Sequence, residues 1–218
     1  MKQENIFSGI KKIFVLLLLL LLFTFICAFS YANSVSAHIS ESVFRLHIIA
    51  NSDEINDQNL KYLVRDRLIE YMNTLSKDCT SKSEIMSVAL THLNEFKKIA
   101  ETVVKENGFN YDVFVEVGNF DFPTKEYGDI SLPAGFYDAL RVKIGKAEGK
   151  NWWCVMFPPL CFVDITSGIV PEESKNLIKD ELSSEEFYLI SEHTPDVKFK
   201  FKLLELFNTM ANTLTAKR

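Results

Sequence analysis

The hydrophobic pattern begins with one uninterrupted apolar block near the N-terminus. Residues 13–29 have the sequence IFVLLLLLLLFTFICAF, without a charged side chain. As a helix rising 1.5 Å per residue, this block is roughly 26 Å long, slightly less than a ~30 Å hydrocarbon core. Lys11 and Lys12 precede it, and small and polar residues follow it, an order that is typical of a secretory signal.

Residues 1–37 are therefore predicted to be either a cleaved signal peptide or an uncleaved membrane anchor. Residues 35–37 (VSA) and 30–32 (SYA) both fit small-x-small cleavage sites. Tilting or local thinning of the bilayer would instead let the block span the membrane. In both cases the lysines stay on the cytoplasmic side, so residues 38–218 are expected outside the cytoplasm.

The next part of the chain changes from strand-like to helical spacing. Residues 43–50 (VFRLHIIA) predict a short strand, with Arg45 and His47 on the face opposite Phe44, Leu46 and Ile48. Apolar residues recur every three and four positions over 57–75, which predicts an amphipathic helix. A second helix is expected from Ser81, where Ser81 and Glu84 form a capping box, to Gly108.

After Gly108 the period changes to two, which indicates strands. The pattern predicts strands at 111–117, 136–144, 151–157 and 160–164, a turn-rich loop over 120–135 and a hairpin around 145–149. Helices before a run of strands predict an α+β fold, in the order β-α-α-β-β-β with an antiparallel sheet. Residues 38–164 are the predicted domain.

The last part of the chain, 165–218, is predicted to be a helical C-terminal extension. Helices are expected over 172–182 and 184–191, and a third over 198–213, beyond Pro195. Residues 165–185 are polar and acidic, which is typical of a linker.

Net charge separates the export segment from the rest. The whole chain carries −5, but residues 1–37 hold three lysines and one glutamate, so the remainder has 21 basic and 28 acidic side chains, or about −7. This balance argues against a general nucleic-acid binder, because such proteins need a basic face. The content of Phe, Leu, Ile and Val argues against disorder.

The sequence contains no motif for a metal, a cofactor or a catalytic nucleophile. The four histidines are far apart, and neither H-E-x-x-H, C-x-x-C, G-x-S-x-G nor a phosphate-binding glycine loop is present. We therefore expect no cofactor and no catalytic residues. An exported enzyme such as a cell-wall hydrolase is the alternative, and it would need ionisable groups to converge around Asp121, Glu126, Tyr127 and Tyr137. A structural envelope protein is a third possibility.

Two adjacent tryptophans are the most unusual feature of the predicted strand at 151–157. A strand sends Trp152 and Trp153 to opposite faces, so one faces the core and one the surface, unless both faces of the sheet are covered. An exposed tryptophan beside the Pro158-Pro159 corner would suit a protein contact.

Two of the three cysteines of the exported part flank this corner. Cys154 and Cys161 would form a disulfide in an oxidising exterior, worth roughly 2–3 kcal/mol in the chain-entropy model. The alternative is a pair of buried thiols that pack as small hydrophobes. Cys79 is left over in either case.

Three blocks of sequence carry a family resemblance. They are FRLHIIANSD (44–53) with 57–66; FPTKEYG (122–128) with LPAGFYDALR (132–141); and NWWCVMFPPLCFVD (151–164). Together they strongly resemble the stage II sporulation protein R family of endospore-forming bacteria. His47 departs from the residue usual in that family, and 165–218 contains no matching block.

The resemblance implies a signalling protein rather than an enzyme. Such proteins are made in the forespore and exported into the space between the two forespore membranes. There they activate a membrane-bound aspartic protease, which cleaves pro-sigma-E in the mother cell. The surface expected to contact the protease is the loop 122–135 with the two tryptophans and the proline corner. The candidate contact or motif residues are Arg45, Asn51, Asp53, Arg65, Tyr127, Tyr137, Trp152, Trp153, Pro158 and Pro159.

Overall fold

A computed structural model describes residues 2–161 and 170–191 of the chain. It divides into two compact units, Met1–Ser36 and Ala37–Arg218. Helix α1 (Lys2–Glu41) contains the apolar block, whose large side chains from Ile13 to Ile26 are exposed, and its part Lys11–Glu41 is long and apolar enough to cross a membrane. A cleaved signal peptide and a membrane anchor both fit this helix.

The elements after α1 confirm the predicted α+β fold. In chain order they are β1 (Phe44–Ile49), α2 (Ile55–Leu75), α3 (Lys82–Thr91), α4 (Leu93–Glu106), β2 (Val113–Phe122), β3 (Lys125–Tyr127), β4 (Ile130–Leu132), β5 (Gly135–Ile144), β6 (Asn151–Phe157), α5 (Glu172–Glu181) and α6 (Ser184–Ser191). The predicted strand at 160–164 lies partly outside the described residues, and the helix at 198–213 lies wholly outside them. Leu160 and Cys161 are described, and neither is in a strand. Helix α5 occupies much of the stretch expected to be a linker.

The main sheet has the strand order β2-β5-β1-β6. Within the described sheet, β2/β5 and β1/β6 are antiparallel, whereas β1/β5 is parallel. The hairpin predicted around 145–149 is wrong, because β1 lies between β5 and β6. The connection from Gly145 to Lys150 therefore passes the end of β1 instead of making a tight turn.

Helices α2, α3 and α4 cover one face of this sheet and close the main core. Ser81 caps α3 with the predicted capping box, in which its hydroxyl accepts from Glu84 N–H and the Glu84 carboxylate reaches back. Gly108, at φ +82°, ends α4, where Gly108 N–H and Phe109 N–H donate to the last carbonyls in a Schellman arrangement. The single helix predicted from Ser81 is instead α3 and α4, because the helix is interrupted at His92.

Strand β1 is buried on both faces. Phe44, Leu46 and Ile48 belong to the core under the helices, and Arg45 and His47 point to the opposite face, as predicted, but are buried there too. The cover on that side includes the hairpin β3–β4, which forms a separate two-stranded sheet. The turn-rich loop predicted over 120–135 is wrong in part, since β2 extends to Phe122 and residues 125–132 form the hairpin.

A polar latch holds the crossing connection against the end of β1. We define it as Asn51, Ser52, Asp53, Asp57 and Lys61. Asp57 accepts hydrogen bonds from Asn51 Nδ2 (2.7 Å) and Ser52 Oγ (2.6 Å). Asn51 Oδ1 accepts from Lys146 N–H, Asp53 Oδ1 from Lys150 N–H, and the buried Lys61 donates to the Lys150 carbonyl.

Two glycines let the connection approach this latch closely. A Cβ on Gly149 would collide with the Ser52 carbonyl, and one on Gly145, at φ +58°, would collide with the Asn51 side chain. The first motif block therefore has an architectural role in the structure, because it joins the β1–α2 turn to the β5–β6 connection.

The latch should contribute less to the free energy of unfolding in acid. Burial raises the pKa of Asp57, but the hydrogen bonds from Ser52, Asn51 and Tyr111 outweigh it and hold this pKa below the ordinary 3.8. A carboxyl whose pKa is lower in the folded state stabilises the protein above its unfolded pKa, and this contribution disappears as the pH falls through the folded value. Asp57→Asn should lower the free energy of unfolding by about 1–3 kcal/mol at pH 7.

Urea unfolding of the full chain in detergent at several pH values tests this expectation. The difference between Asp57→Asn and wild type should shrink below pH 3.8. Asp66→Asn is the control, because Asp66 is exposed and its ion pair with Arg65 is at the surface. A difference that stays constant with pH would contradict the assigned role of the Asp57 charge.

Candidate functional site

The structure puts eight of the ten candidate contact residues in three places, and the other two, Pro158 and Pro159, at the corner after β6. Asn51 and Asp53 belong to the latch. Arg45, Tyr127 and Tyr137 lie together under the β3–β4 hairpin, with His47 and Phe122, and we call these five residues the Arg45 cluster. Arg65, Trp152 and Trp153 lie along strand β6, with Tyr62 and Lys125, and we call these five residues the tryptophan edge.

The Arg45 cluster surrounds a buried cation with aromatic rings. The guanidinium carbon of Arg45, which is fully buried, lies 4.1 Å from the centre of the Phe122 ring and 4.6 Å from that of Tyr137. Arg45 Nη2 donates to the Tyr127 hydroxyl at 2.6 Å. That hydroxyl donates onward to the Trp153 carbonyl at 3.3 Å, and the Tyr137 hydroxyl donates to Pro133 O at 2.6 Å.

The rings and the Tyr127 hydroxyl stabilise the charge of Arg45. Among the residues that the structure describes, neither Nε nor Nη1 of Arg45 has a hydrogen-bond partner. Burying a cation in this way is costly, and cation–π contacts in a desolvated site recover part of that cost. Burial raises the pKa of both Tyr127 and Tyr137, so both stay neutral phenols at physiological pH.

His47 contributes a neutral imidazole beside this cation. Burial lowers its pKa, and the positive charges of Arg141 and Arg45 lower it further. Its Nε2 is 2.8 Å from Asn151 Oδ1, so Nε2 donates and carries the proton of the neutral ring. The cluster therefore holds one permanent charge, and its two phenols and one imidazole are committed to internal contacts.

The residues named for the enzyme alternative do not converge on a common point. The Tyr127 and Tyr137 hydroxyls are used inside the Arg45 cluster. Asp121 pairs with Phe136 and neighbours Phe122, so it points to the sheet face opposite Phe122 and Tyr137. Glu126 lies on β3 between Lys125 and Tyr127 and is exposed. Within the described ranges, no group of three His, Cys, Asp or Glu side chains could hold a metal ion.

The tryptophan edge places one indole on each face of an edge strand. Trp152 meets the Tyr62 ring edge-on at 5.5 Å, and the Arg65 guanidinium lies 4.4 Å from the indole centre. On the other face, Lys125 Nζ lies 4.4 Å from the centre of the Trp153 ring, which stacks on His47 at 5.7 Å. The predicted opposite faces are confirmed, and each indole is half-buried instead of one being core and one surface.

This edge presents apolar area and positive charge together. Two cations cover two indoles on either side of β6, and β6 is an edge strand of the described sheet. Both indole Nε1 atoms are buried without a hydrogen-bond partner among the described residues. Tryptophan and arginine dominate the energetics of protein contacts, and this combination is suited to binding another protein.

A disulfide closes the corner at the end of β6. Cys154 and Cys161 are joined, with Cα atoms 5.1 Å apart. Pro158 inside this loop is buried and Pro159 is exposed. Leu160 N–H donates to the Val155 carbonyl and so closes part of the outer edge of β6. Cys79 is a free, half-buried thiol, and burial raises its pKa.

Sequence reasoning missed several members of these sites. Phe122, Tyr62, Lys125, Asp57 and Lys61 were not among the candidate site residues. Phe122 and Lys125 are part of the loop 122–135 that is expected to contact the protease. Asp57 and Lys61 belong to the first motif block and Tyr62 lies within its range, so the block is the only local signal for these three. Which blocks meet in space is decided by β1 pairing with strands about 90 to 110 residues later in the chain.

Comparison with known proteins gives a family match over the domain that contains the latch, the Arg45 cluster and the tryptophan edge. The family model for stage II sporulation protein R matches residues 40–167. Stage II sporulation protein R of Bacillus subtilis (strain 168) is 41% identical over 138 residues, which are 63% of this chain and 62% of that protein. The match thus spans less than two thirds of the relative's length. No solved structure matches the chain.

Removing the Tyr127 hydroxyl should destabilise the Arg45 cluster. Tyr127→Phe keeps the ring but leaves Arg45 Nη2 without its acceptor, and an unsatisfied buried donor costs about 1–3 kcal/mol. The measurement is the free energy of unfolding of the full chain in detergent. Tyr62→Phe, on the exposed side of the tryptophan edge, is the matched control and should change it by less than about 0.5 kcal/mol. Equal effects of the two substitutions would contradict this description of the cluster.

The disulfide should make stability sensitive to reductant. Opening this short loop removes roughly 2–3 kcal/mol in the chain-entropy model. Wild type and Cys79→Ser should therefore both unfold at lower urea concentration when dithiothreitol is present. Cys161→Ser should unfold at the same urea concentration with and without it. If dithiothreitol still lowered the urea concentration at which Cys161→Ser unfolds, the effect of the reductant would not come from this disulfide.

Proposed function

The chain belongs to the stage II sporulation protein R family, and from this premise we propose that it is an exported signal that activates a membrane-bound aspartic protease. In this proposal the protein is made in the forespore and acts in the space between the two forespore membranes. The activated protease then removes the pro-sequence of pro-sigma-E in the mother cell. A sporulation signalling role follows from the family, and the protease, its substrate and the compartment are the proposed part.

The N-terminal helix supports the export step. Its apolar block is preceded by Lys11 and Lys12, and positive charges before such a block keep that end in the cytoplasm. The domain that begins after it would then emerge on the other side of the membrane. A disulfide between Cys154 and Cys161 fits an oxidising exterior better than a reducing cytoplasm.

The observation that carries the proposed contact is the tryptophan edge. Two half-buried indoles and two cations lie on either side of one edge strand. The hairpin β3–β4, within residues 122–135, supplies Lys125 to this surface. Because the exported part is acidic overall, a local pair of cations favours a partner surface with acidic groups around an apolar centre.

Activation needs more than binding. A ligand shifts an equilibrium between inactive and active protease only through its higher affinity for the active form. We expect the indoles to supply affinity and the cations to supply orientation. Truncating an indole then weakens binding to the active form, and the protease stays mostly inactive.

Single alanine substitutions at the two tryptophans test this surface. Trp152→Ala and Trp153→Ala should leave export intact and reduce cleavage of pro-sigma-E, by roughly tenfold for a loss of 1.4 kcal/mol in binding. The assay co-expresses the protein with the protease and pro-sigma-E and measures the cleaved fraction. Cleavage that does not depend on the protein at all would refute the proposed function.

Controls separate contact from folding. Leu90→Ala, at an exposed position of α3, should support normal cleavage of pro-sigma-E. Lys125→Glu reverses a charge beside Trp153 without removing an apolar side chain, and it should reduce cleavage while the melting temperature stays unchanged. If both tryptophan variants and Lys125→Glu support normal cleavage, the contact surface lies elsewhere.

A further inference from the structure

The two edges of the main sheet differ in how they are protected. On β6, the outward carbonyls of Trp153 and Val155 accept hydrogen bonds from the Tyr127 hydroxyl and from Leu160 N–H. On β2, no described residue bonds to the outer edge of the ten-residue strand. An unprotected edge of this length is a template for pairing with another strand.

The hydrogen-bond parity of β2 is set by its pairing with β5. Gly145 N–H donates to Asp112 O, so Asp112 and every second residue after it bond inward to β5. The backbone groups that point outward are therefore those of Val113, Val115, Val117, Asn119 and Asp121. Phe114, Asn119 and Asp121 are exposed, Phe114 by 54%.

We propose that β2 pairs antiparallel with β2 of a second copy of this chain, about a two-fold axis at Val117. This register is the one that pairs all five outward residues. It matches Val117 with Val117, Val115 with Asn119, and Val113 with Asp121, and it forms about ten backbone hydrogen bonds. The two four-stranded sheets become one continuous eight-stranded sheet.

On the sheet face opposite helices α2 to α4, the side chains of the two β2 strands complement one another in this register. Phe114 of one copy lies opposite Phe120 of the other in a pair without hydrogen bonds, the closer kind of cross-strand pair. Arg141 and Lys143 already lie over these rings, at 3.7 Å from the centre of Phe120 and 5.4 Å from that of Phe114. The aromatic pairs therefore extend a row that exists in the single chain.

The charges of β2 allow this pairing. Glu116 faces Gly118 of the second copy, and its carboxylate is already neutralised by Arg141 at 2.6 Å and Lys143 at 3.3 Å. The two Asp121 side chains lie at opposite ends of the seam, about 26 Å apart for eight residues of strand, beyond the ~8 Å Debye length at physiological salt. A register centred on Glu116 would instead place two carboxylates face to face.

Crosslinking at the two-fold axis tests the dimer and its register. In the full chain with Cys27→Ser and Cys79→Ser, Val117→Cys should be joined to its own copy by a short bis-maleimide. Leu90→Cys, on exposed α3, is the matched position and should crosslink at least about tenfold less. This comparison also separates β2 pairing from any association through the apolar helix.

Removing one outward N–H gives the second test. Asn119→Pro deletes an edge donor, whereas Asn119→Ala loses the same side-chain bond to Asp138 but keeps the N–H. In the Val117→Cys background, the proline variant should lower the crosslinked fraction about tenfold and the alanine variant should not. No crosslink at Val117→Cys, equal crosslinking at Leu90→Cys, or a fraction unaffected by Asn119→Pro would each overturn the proposal. It stands or falls independently of the proposed protease.

Discussion

The insertion of β1 between β5 and β6 is the constraint on which the rest of the domain depends. Because β1 is central, the connection between its two neighbours must cross its end, where no regular hairpin can form. Asp57 and Asn51 organise that crossing with short hydrogen bonds, and Gly149 lets two backbones touch. The polar residues of the first motif block thus have a structural role in holding this crossing, whether or not they also contact a partner.

The same insertion buries both faces of β1, and one of them carries Arg45. A buried guanidinium needs compensation, and here three aromatic rings and one phenol hydroxyl provide it. The phenol belongs to Tyr127, which also holds the Trp153 carbonyl. The cluster therefore connects the centre of the sheet to the surface we assign to the partner, and the β3–β4 hairpin is positioned by an electrostatic requirement as well as by apolar burial.

The sheet offers two different surfaces for association. The β6 edge is closed to strand addition at two carbonyls, and it presents indoles and cations, which suit recognition by side chains. The β2 edge is open in the described structure and suits pairing through the backbone. Strands at opposite ends of one sheet can serve two contacts at once, so a paired signal could present two tryptophan edges.

The sequence alone determined the N-terminal apolar helix, the helix α2, the capping box at Ser81, the glycine end of α4 and strand β6, because these depend on hydrophobic period and on residues within a few positions. It also placed Trp152 and Trp153 on opposite faces. Only the tertiary structure decided that β1 separates β5 from β6, that residues 125–132 form a hairpin, and that Arg45 is buried. Strand neighbours are selected by contacts between residues far apart in the chain, and the burial of a charge depends on the elements that cover it. A local sequence pattern therefore predicts neither the strand order nor the burial of Arg45.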